Sequence, residues 1–505
     1  MLLSLLIFLP LFFALVVAVL PGERWVRPVS LVLSALHFAL TCALFYRFDP
    51  SKASLQLVER ASWVPTFGVS YFVGVDGISF WLVILSSFLT PLVILGSWTA
   101  ITQKVRAFHI CMFLLLSAMI GTFLAMDAIL FYVFFEASLI PMYFLVGVWG
   151  GSRRLYATMK FFIYTMAGSL FMLVAIIALI FLTQEQLGTM SASILDFYKL
   201  QIPFVANSFL NTQTLLFFAF AIAFAIKVPM FPVHTWLPDA HVEAPTPGSV
   251  ILAAVMLKMG TYGFLRFVLP IFPAAAENWA WLFMLLGVIG IVYGALVAMV
   301  QPDIKKLVAY SSVSHMGYVM FGIFALNIYG VTGGMYQMLN HGVSTGALFL
   351  LVGMIYERTH SRQISDYGGL AKVAPMFTIA FVIVTFSSIA VPLTNGFVGE
   401  FLILFGGFQA NWMFACIAVT GVILGAVYML WAVKRIFFGP VSEMVKKYDE
   451  EHGLDIGARE MLVLAPLVIL IFWMGVFPSD FLNWSKASLD NLIQNRTHYE
   501  ISVEE

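Results

Sequence analysis

The chain has 505 residues, of which 61% are hydrophobic and only 10% are charged, and its 26 basic and 26 acidic residues cancel to a net charge of zero. A soluble domain carries about 25% charged residues, and a mean hydropathy of +0.97 is too high for a surface in contact with water. The composition therefore predicts a membrane protein and gives no basic surface for nucleic acid.

Fourteen apolar stretches are each long enough to cross about 30 Å of hydrocarbon, which takes about 20 helical residues. They lack a period of two, which favours helices over the strands of a barrel. The first stretch lacks the basic start and cleavage site of a signal peptide, so we expect it to be retained. The predicted spans are 2–20, 28–46, 78–99, 108–126, 127–149, 156–182, 213–234, 247–270, 278–300, 304–328, 331–357, 375–408, 411–437 and 460–482.

The distribution of Lys and Arg predicts the orientation of these spans. If the N-terminus lies outside, seventeen of the 26 basic residues fall in cytoplasmic loops and seven, Arg266 among them, fall in outer loops. Both termini are therefore predicted to lie outside, together with two longer loops, 47–77 and 183–212. The polar segment 438–459 is predicted to be a solvated linker on the inner side or a contact to a neighbouring subunit.

Four ionisable residues lie inside predicted spans, where inserting a charge costs about 2.5–3.5 kcal/mol. Glu136 is in the fifth span, Lys227 in the seventh, Lys258 in the eighth and Glu400 in the twelfth. One interpretation is structural, with charges paired to lock helices together. A lock needs only one acid and one base, so two of each on four spans favour a relay that moves protons.

Histidines on two further spans fit such a relay. His315 lies beside Ser311, Ser312 and Ser314 in the tenth span, and His341 lies beside Asn340, Ser344 and Thr345 in the eleventh. This polar company suits a hydrated path, although a hydrogen-bonded core histidine is an equal alternative. His37, in an apolar stretch, is interpreted as such a core residue.

Two of the spans are predicted to be broken. Pro229 and Pro232 follow Lys227, and Pro392 precedes Glu400; each proline removes a backbone donor and clashes with the preceding turn. Broken helices five spans apart indicate inverted repeats. The predicted fold is an all-α membrane protein of about 14 transmembrane helices with two inverted five-helix repeats, 108–270 and 278–437, each with a broken helix, between an N-terminal part, 1–107, and a linker, last span and tail, 438–505.

The chemistry of cofactor sites is not apparent in the sequence. Cys42, Cys111 and Cys416 lie in apolar runs without a CxxC pair, which argues against disulfides, zinc and iron–sulfur clusters. No glycine-rich motif follows a strand, so no NADH or flavin site is predicted.

Four motifs carry a resemblance to a known family: FEASLIPMY at 135–143, HTWLPDAHVEAPTPGS at 234–249, DIKKLVAYSSVSHMG at 303–317 and GFVGEF at 396–401. They are similar to the antiporter-like subunits of respiratory complex I, the bacterial NADH:quinone oxidoreductase. The resemblance covers nearly the whole chain. It implies a proton-translocating subunit in the bacterial cytoplasmic (inner) membrane, with periplasmic termini and with L- and N-type antiporter-like subunits of the membrane arm as neighbours.

Carried over position by position, the resemblance implies that Glu136 is the essential acid, Lys227 its partner lysine, Lys258 the central lysine and Glu400 the terminal acid. His315 and His341 match the linking polar positions. Closing or opening of the Glu136–Lys227 pair would push a proton to Lys258 and on to Glu400, from the cytoplasm to the outside.

The same resemblance implies that the redox chemistry lies elsewhere. NADH, FMN, iron–sulfur clusters and quinone are expected in partner subunits, and no cofactor or metal is expected in this chain. A related subunit has lysine at the terminal position and a long lateral helix after its last span; Glu400 and the short tail favour the branch without them.

Two other classes of protein remain open at this stage. A subunit of a Mrp-type cation/proton antiporter or of a membrane-bound hydrogenase would share this ancestry. A membrane-embedded enzyme, such as an acyltransferase with a buried histidine, would not need two Lys–Glu sites.

Overall fold

The computed structural model describes residues 1–206, 208, 210–496 and 499–504, so residues 207, 209, 497, 498 and 505 of the predicted loop and tail lie outside the described residues. Helices dominate the described chain. In its first half they are α1 Leu2–Val19, α2 Glu23–Thr41, α3 Leu44–Arg47, α4 Phe80–Gly96, α5 Val105–Leu124, α6 Ala128–Ala137, α7 Leu139–Trp149, α8 Arg154–Leu187, α9 Ile194–Phe197 and α10 Thr212–Lys227.

The second half continues in the same way, with two short π-helical turns, Leu252–Met256 and Phe264–Val268, inserted in one long helix. Its helices are α11 Trp236–Glu243, α12 Thr246–Ile251, α13 Leu257–Gly263, α14 Leu269–Ile271, α15 Pro273–Met299, α16 Ile304–Ile323, α17 Ile328–Thr359, α18 Pro375–Ser388, α19 Asn395–Ala410, α20 Trp412–Phe437, α21 Glu443–His452, α22 Ala458–Val476 and α23 Ser479–Gln494.

Ten helices in the described part of the chain are long and apolar enough to cross a membrane, and three shorter ones, α4, α10 and α18, are also apolar. The helical membrane class predicted from composition is confirmed. Lipid-facing helices such as Trp412–Phe437 leave much of their surface exposed, whereas Thr246–Ile271 and Ile328–Thr359 are buried throughout an 18-residue stretch of each helix. These two central helices are therefore enclosed by protein, which is where polar groups can be held away from lipid.

One hairpin interrupts the helical pattern, inside the loop predicted for 47–77. Strand β1, Gln56–Val64, pairs antiparallel with β2, Val69–Val75. Gly68 closes the turn with a φ of +64°, and a Cβ there would meet the Met190 carbonyl oxygen at 1.9 Å. We call the side of the bundle that carries Gln56–Val75 the hairpin face. The loop prediction missed this structure because the alternation in a short strand is weak beside the long apolar runs.

The placement predicted for Arg266 was wrong. It is not a loop charge, because the helix continues through the second π-helical turn to Ile271 and buries Arg266 completely. Its guanidinium can be buried because Asp76, also fully buried, lies 2.6 Å away.

The predicted linker 438–459 holds α21 and ties together helices on the side opposite the hairpin. The Asp455 carboxylate accepts the N–H of Phe377, at the start of α18, at 2.8 Å. Arg358, near the end of α17, donates to Glu460 at 2.6 Å. The segment therefore fixes the first half of the broken helix instead of only linking two spans.

Candidate functional site

Glu136 lies one residue before the end of α6, a helix whose first turn is capped by Asp127. The Asp127 carboxylate accepts the N–H groups of Ile129 and Leu130 at 3.0 and 3.1 Å. Glu136 is half-buried, and its Oε1 has no hydrogen-bond partner among the described residues. Leaving such an oxygen unpaired is costly, so it is ready to take a proton or to accept from a donor that approaches.

Lys227 is the last residue of α10, where Pro229 and Pro232 prevent the helix from continuing. Its side chain is fully buried. The ammonium Nζ lies 3.4 Å from Ser138 Oγ and 4.7 Å from the centre of the Phe135 ring. An amine held by one long hydrogen bond and an aromatic face is weakly fixed and can be displaced by a small movement.

Glu136 and Lys227 were expected to form a pair, but they are not in direct contact. No ion pair of 4.0 Å or shorter joins them in the described chain, although the two charges interact electrostatically. Ser138, two residues after Glu136, occupies the position nearest the Lys227 amine. Glu136 and Lys227 are therefore close enough to interact electrostatically but do not form an ion pair in this structure.

Lys258 lies on α13 at the centre of the fully buried helix. Its Nζ donates to the Ala253 carbonyl oxygen at 2.6 Å and lies 2.6 Å from His341 Nδ1 on α17. The π-helical turn Leu252–Met256 widens the helix just before Lys258, and a widened turn leaves carbonyl oxygens available to a side chain. Lys258 thus has a polar partner on a neighbouring helix.

The polar chain continues from His341 to the second acid. The rings of His341 and His315 are 5.8 Å apart between centroids. His315 Nδ1 then lies 3.2 Å from Glu400 Oε1, and its Nε2 lies 3.3 Å from Ser388 Oγ. Gln337 donates to the same Glu400 oxygen at 3.2 Å. Lys258, His341, His315 and Glu400 therefore form one series across four helices, in which the two histidines meet by ring contact and the other steps lie within hydrogen-bonding distance.

The break predicted before Glu400 is present and shapes this series. Helix α18 ends at Ser388 and α19 begins at Asn395, with left-handed φ values of 56° at Ala390 and 73° at Leu393 between them. A Cβ on Gly396 would meet the Ser387 carbonyl oxygen at 2.2 Å, so only glycine allows the two halves to approach this closely. A small polar cavity beside the break is lined by His315, Gln337, Asn340, His341, Ser344, Thr345, Ser387, Ser388 and Gly396.

Sequence reasoning missed a group of residues between Lys258 and the side opposite the hairpin. His241 is fully buried, stacks on Phe349 at 4.6 Å, and has no partner on either ring nitrogen among the described residues. Lys305, interpreted as a loop charge, is buried and donates to the Ala244 carbonyl oxygen at 2.5 Å. It lines an open cavity with Glu243. His241 interacts electrostatically with Lys258 and Lys305. Only the folded structure brings these three residues near one another, so the sequence pattern could not predict it.

The six predicted site residues are thus found in two groups. Glu136 and Lys227 lie together near Ser138, and the other four form the series described above. No set of three or more His, Cys, Asp or Glu in the described ranges could hold a metal ion.

Two family models together match residues 4–425. Residues 4–126 match the amino terminus of NADH-ubiquinone oxidoreductase chain 4, and residues 125–425 match the transmembrane family of NADH:quinone oxidoreductase and Mrp antiporter proteins. NADH-quinone oxidoreductase subunit M of Rhodobacter capsulatus is 47% identical, over 98% of this chain and 96% of the relative.

Solved structures agree with these matches. A chain of respiratory complex I from Thermus thermophilus is 30% identical, with a TM-score of 0.85, over 98% of this chain and 100% of that one. A chain of the Mrp complex from Dietzia sp. DQ12-45-1b has a TM-score of 0.83 at 22% identity, over 98% of both chains, which shows a shared fold only. The branch indicated by Glu400 and the short tail agrees with the curated relative. The chain belongs to the M-subunit family of NADH-quinone oxidoreductase.

Proposed function

We propose that protons cross this subunit through a relay of buried side chains, formed by Glu136, Lys227, Lys258, His341, His315 and Glu400. As a member of its family, the chain is a proton-translocating membrane subunit of NADH-quinone oxidoreductase and works with the other membrane-arm subunits. The roles of these residues go beyond membership of the family. The observation that carries them is the contact of Lys258 with His341, because it joins the central lysine to the second half of the series.

The second half of the relay conducts protons between helices. Neutral imidazole accepts a proton on one ring nitrogen and releases one from the other, so a histidine between two polar groups can pass a proton through itself. His341 faces Lys258 with Nδ1, and His315 faces Glu400 with Nδ1. The Lys258 proton would move to His341, then to His315, and leave from Glu400.

The first half of the relay acts as the switch. Lys227 is held by Ser138 at 3.4 Å while the Glu136 oxygen nearby has no partner. Movement of the Lys227 amine from Ser138 to Glu136 would form an ion pair and change how strongly the lysine holds its proton. Quinone reduction in the partner subunits would drive this movement, since NADH, FMN, iron–sulfur clusters and quinone belong to those subunits and this chain binds none of them.

The architecture proposed with this relay is two inverted five-helix repeats within about 14 transmembrane helices. Support comes from two helix breaks, after Lys227 and before Glu400, each next to an ionisable site. The membrane is the bacterial inner membrane, with both termini in the periplasm. Protons would then enter on the side of Lys305 and His241 and leave on the side of Glu400 that faces the periplasm.

Replacement of the central lysine tests the relay. The purified complex with Lys258→Met is reconstituted into liposomes, and NADH-driven acidification is followed with a pH-sensitive dye. We expect assembly with loss of most pumping, whereas Met259→Leu, a matched change one residue away in the same buried turn, should pump normally. Normal pumping by an assembled Lys258→Met complex would refute the relay.

A further inference from the structure

A buried ion pair, formed by Asp76 and Arg266, lies apart from the relay, between Lys258 and the hairpin face. Asp76 directly follows β2, and its Oδ1 lies 2.6 Å from Arg266 Nη2, with both side chains fully buried. Arg266 is eight residues after Lys258 on one continuous helix, a rise of about 12 Å. The pair therefore lies about 12 Å along this helix from Lys258, at the end of the hairpin.

Aromatic residues close the space around this pair. Tyr262, one turn before Arg266, accepts from Arg266 Nε at 3.1 Å and donates to the Phe123 carbonyl oxygen at 2.9 Å. Tyr198 donates to the Arg266 carbonyl oxygen at 2.8 Å, and the Tyr499 ring lies 5.0 Å from the Tyr198 ring. Asp76 is thus the one carboxylate within contact of the guanidinium in the part of the chain that the structure describes.

Neither Asp76 nor Arg266 can take up a proton and pass it on while the two are paired. A guanidinium does not release its proton in proteins. Burial raises the pKa of Asp76, but the charge and hydrogen bond of Arg266 outweigh burial, so that the Asp76 pKa is below its usual range. A carboxylate held ionised by a fixed cation cannot pick up and hand on protons at neutral pH.

We propose that the Asp76–Arg266 pair insulates the relay from the hairpin face, so that a proton on Lys258 can leave only sideways through His341 and Glu400. This inference rests on the proposed relay through Lys258. A buried ion pair adds little stability compared with apolar packing, because removing its two charges from water is costly. Insulation of the relay gives the pair a role other than stability.

The chemistry of the pair makes its two members unequal. Without the Arg266 charge, Asp76 would be a buried, unpaired carboxyl. Such a group takes up a proton and can transfer it from Lys258 toward the surface. Without the Asp76 charge, the guanidinium remains and still offers no acceptor. A purely structural pair would instead respond similarly to loss of either partner, because each loss leaves one buried group unsatisfied.

Passive proton leak in the absence of NADH measures this insulation. The whole complex is reconstituted into liposomes, a pH gradient is imposed, and its decay is compared for wild type, Arg266→Gln, Asp76→Asn and the double variant. We expect Arg266→Gln to leak at least several-fold faster, and Asp76→Asn and the double variant to match wild type. An assembled Arg266→Gln complex as tight as wild type, or an equal leak in all three variants, would overturn the proposal.

Two further variants keep the test decisive. If Arg266→Gln fails to assemble, Arg266→Lys replaces it, because a buried lysine can lose its charge and hand on a proton; it should leak faster than wild type, and a tight Arg266→Lys complex would overturn the proposal. The Arg266→Gln leak should also disappear in a Lys258→Met background. Persistence there would show that the leak bypasses Lys258 and would refute this inference, whereas the relay itself is refuted only by pumping in Lys258→Met alone.

Discussion

Lys258 Nζ and His341 Nδ1 are 2.6 Å apart, which is hydrogen-bonding distance between two groups that can both carry a proton. Lys258 has only donors when charged, so His341 must present a bare Nδ1 to it, with its proton on Nε2. That Nε2 has no partner among the described residues and belongs to the ring that faces His315. In the proposed relay, a proton accepted at Nδ1 would release the Nε2 proton toward His315.

The first prediction concerns His341. His341→Gln keeps a polar side chain of similar reach but cannot accept and release protons in this way, so we expect NADH-driven pumping to fall roughly tenfold or more. The control is His37→Gln, because His37 Nδ1 lies 2.7 Å from Ser87 Oγ and its Nε2 lies 2.9 Å from the Leu6 carbonyl oxygen, a local arrangement away from the relay. Full pumping by His341→Gln would contradict the proton path drawn here.

The ionisable part of the site was visible in the sequence because each residue is out of place. Glu136, Lys258 and Glu400 stand in apolar runs where charge is expensive, and prolines follow or precede the remaining lysine and the second acid. These features can be recognised in the sequence without any knowledge of the fold. The prolines alone were enough to predict the breaks after Lys227 and before Glu400, but not the division of the fifth span between α6 and α7.

Contacts between distant segments were not visible. Gln337 and Ser388 are ordinary polar residues in sequence, and only the packing of α17 and α18 against α16 brings them to Glu400 and His315. Arg266 was misjudged because a charge near a span end resembles a loop residue, and its partner Asp76 is 190 positions away. The separation of Glu136 from Lys227 likewise depends on side-chain placement, which no periodicity encodes.

The second prediction concerns the switch. Glu136→Ala removes the acceptor toward which the Lys227 amine would move, so we expect proton-coupled quinone reduction to fall by roughly tenfold while the complex still assembles. Ser138→Ala removes only the hydroxyl 3.4 Å from the amine and should keep most activity. The measurement is NADH:quinone reduction with dye-reported acidification; normal pumping by Glu136→Ala would remove this residue from the relay.

The third prediction concerns orientation. A reporter joined after Lys306, in the first turn of α16, should report the cytoplasmic side, and one joined after Gln494, at the end of α23, should report the periplasm. An outside signal at Lys306 would reverse the direction proposed for proton movement.

The fourth prediction concerns the hairpin face and pH. Glu59 on β1 accepts the Leu3 N–H at 2.8 Å and lies 2.6 Å from the N-terminal ammonium. Burial raises the Glu59 pKa, but this ammonium, Ser4 and the N–H of Leu3 outweigh burial, so that the pKa is below its usual value. The tie, worth up to about 1 kcal/mol for such a pair, is therefore complete above the pKa of the unfolded chain and is lost as pH falls through the folded pKa.

Amide hydrogen exchange at Leu3 and Ser4 measures that tie. After correction for intrinsic rates, protection should be constant around neutral pH and fall only when the pH drops below the ordinary pKa of a glutamate. Glu59→Gln should have lower protection at neutral pH and no such fall. The same pH dependence in Glu59→Gln would assign the effect to another group.

The fifth prediction concerns Glu400, whose Oε1 accepts a hydrogen bond from Gln337 and lies within hydrogen-bonding distance of His315 Nδ1. Glu400→Gln keeps the volume and hydrogen-bonding capacity but cannot take a proton, so we expect pumping to fall roughly tenfold. Glu400→Asp keeps the acid on a shorter side chain and should retain more activity, because an aspartic acid can still take up and release a proton. Equal activity of the two variants in reconstituted complex would mean that Glu400 is needed only as a hydrogen-bond acceptor, and the proton would then have to leave His315 by another route.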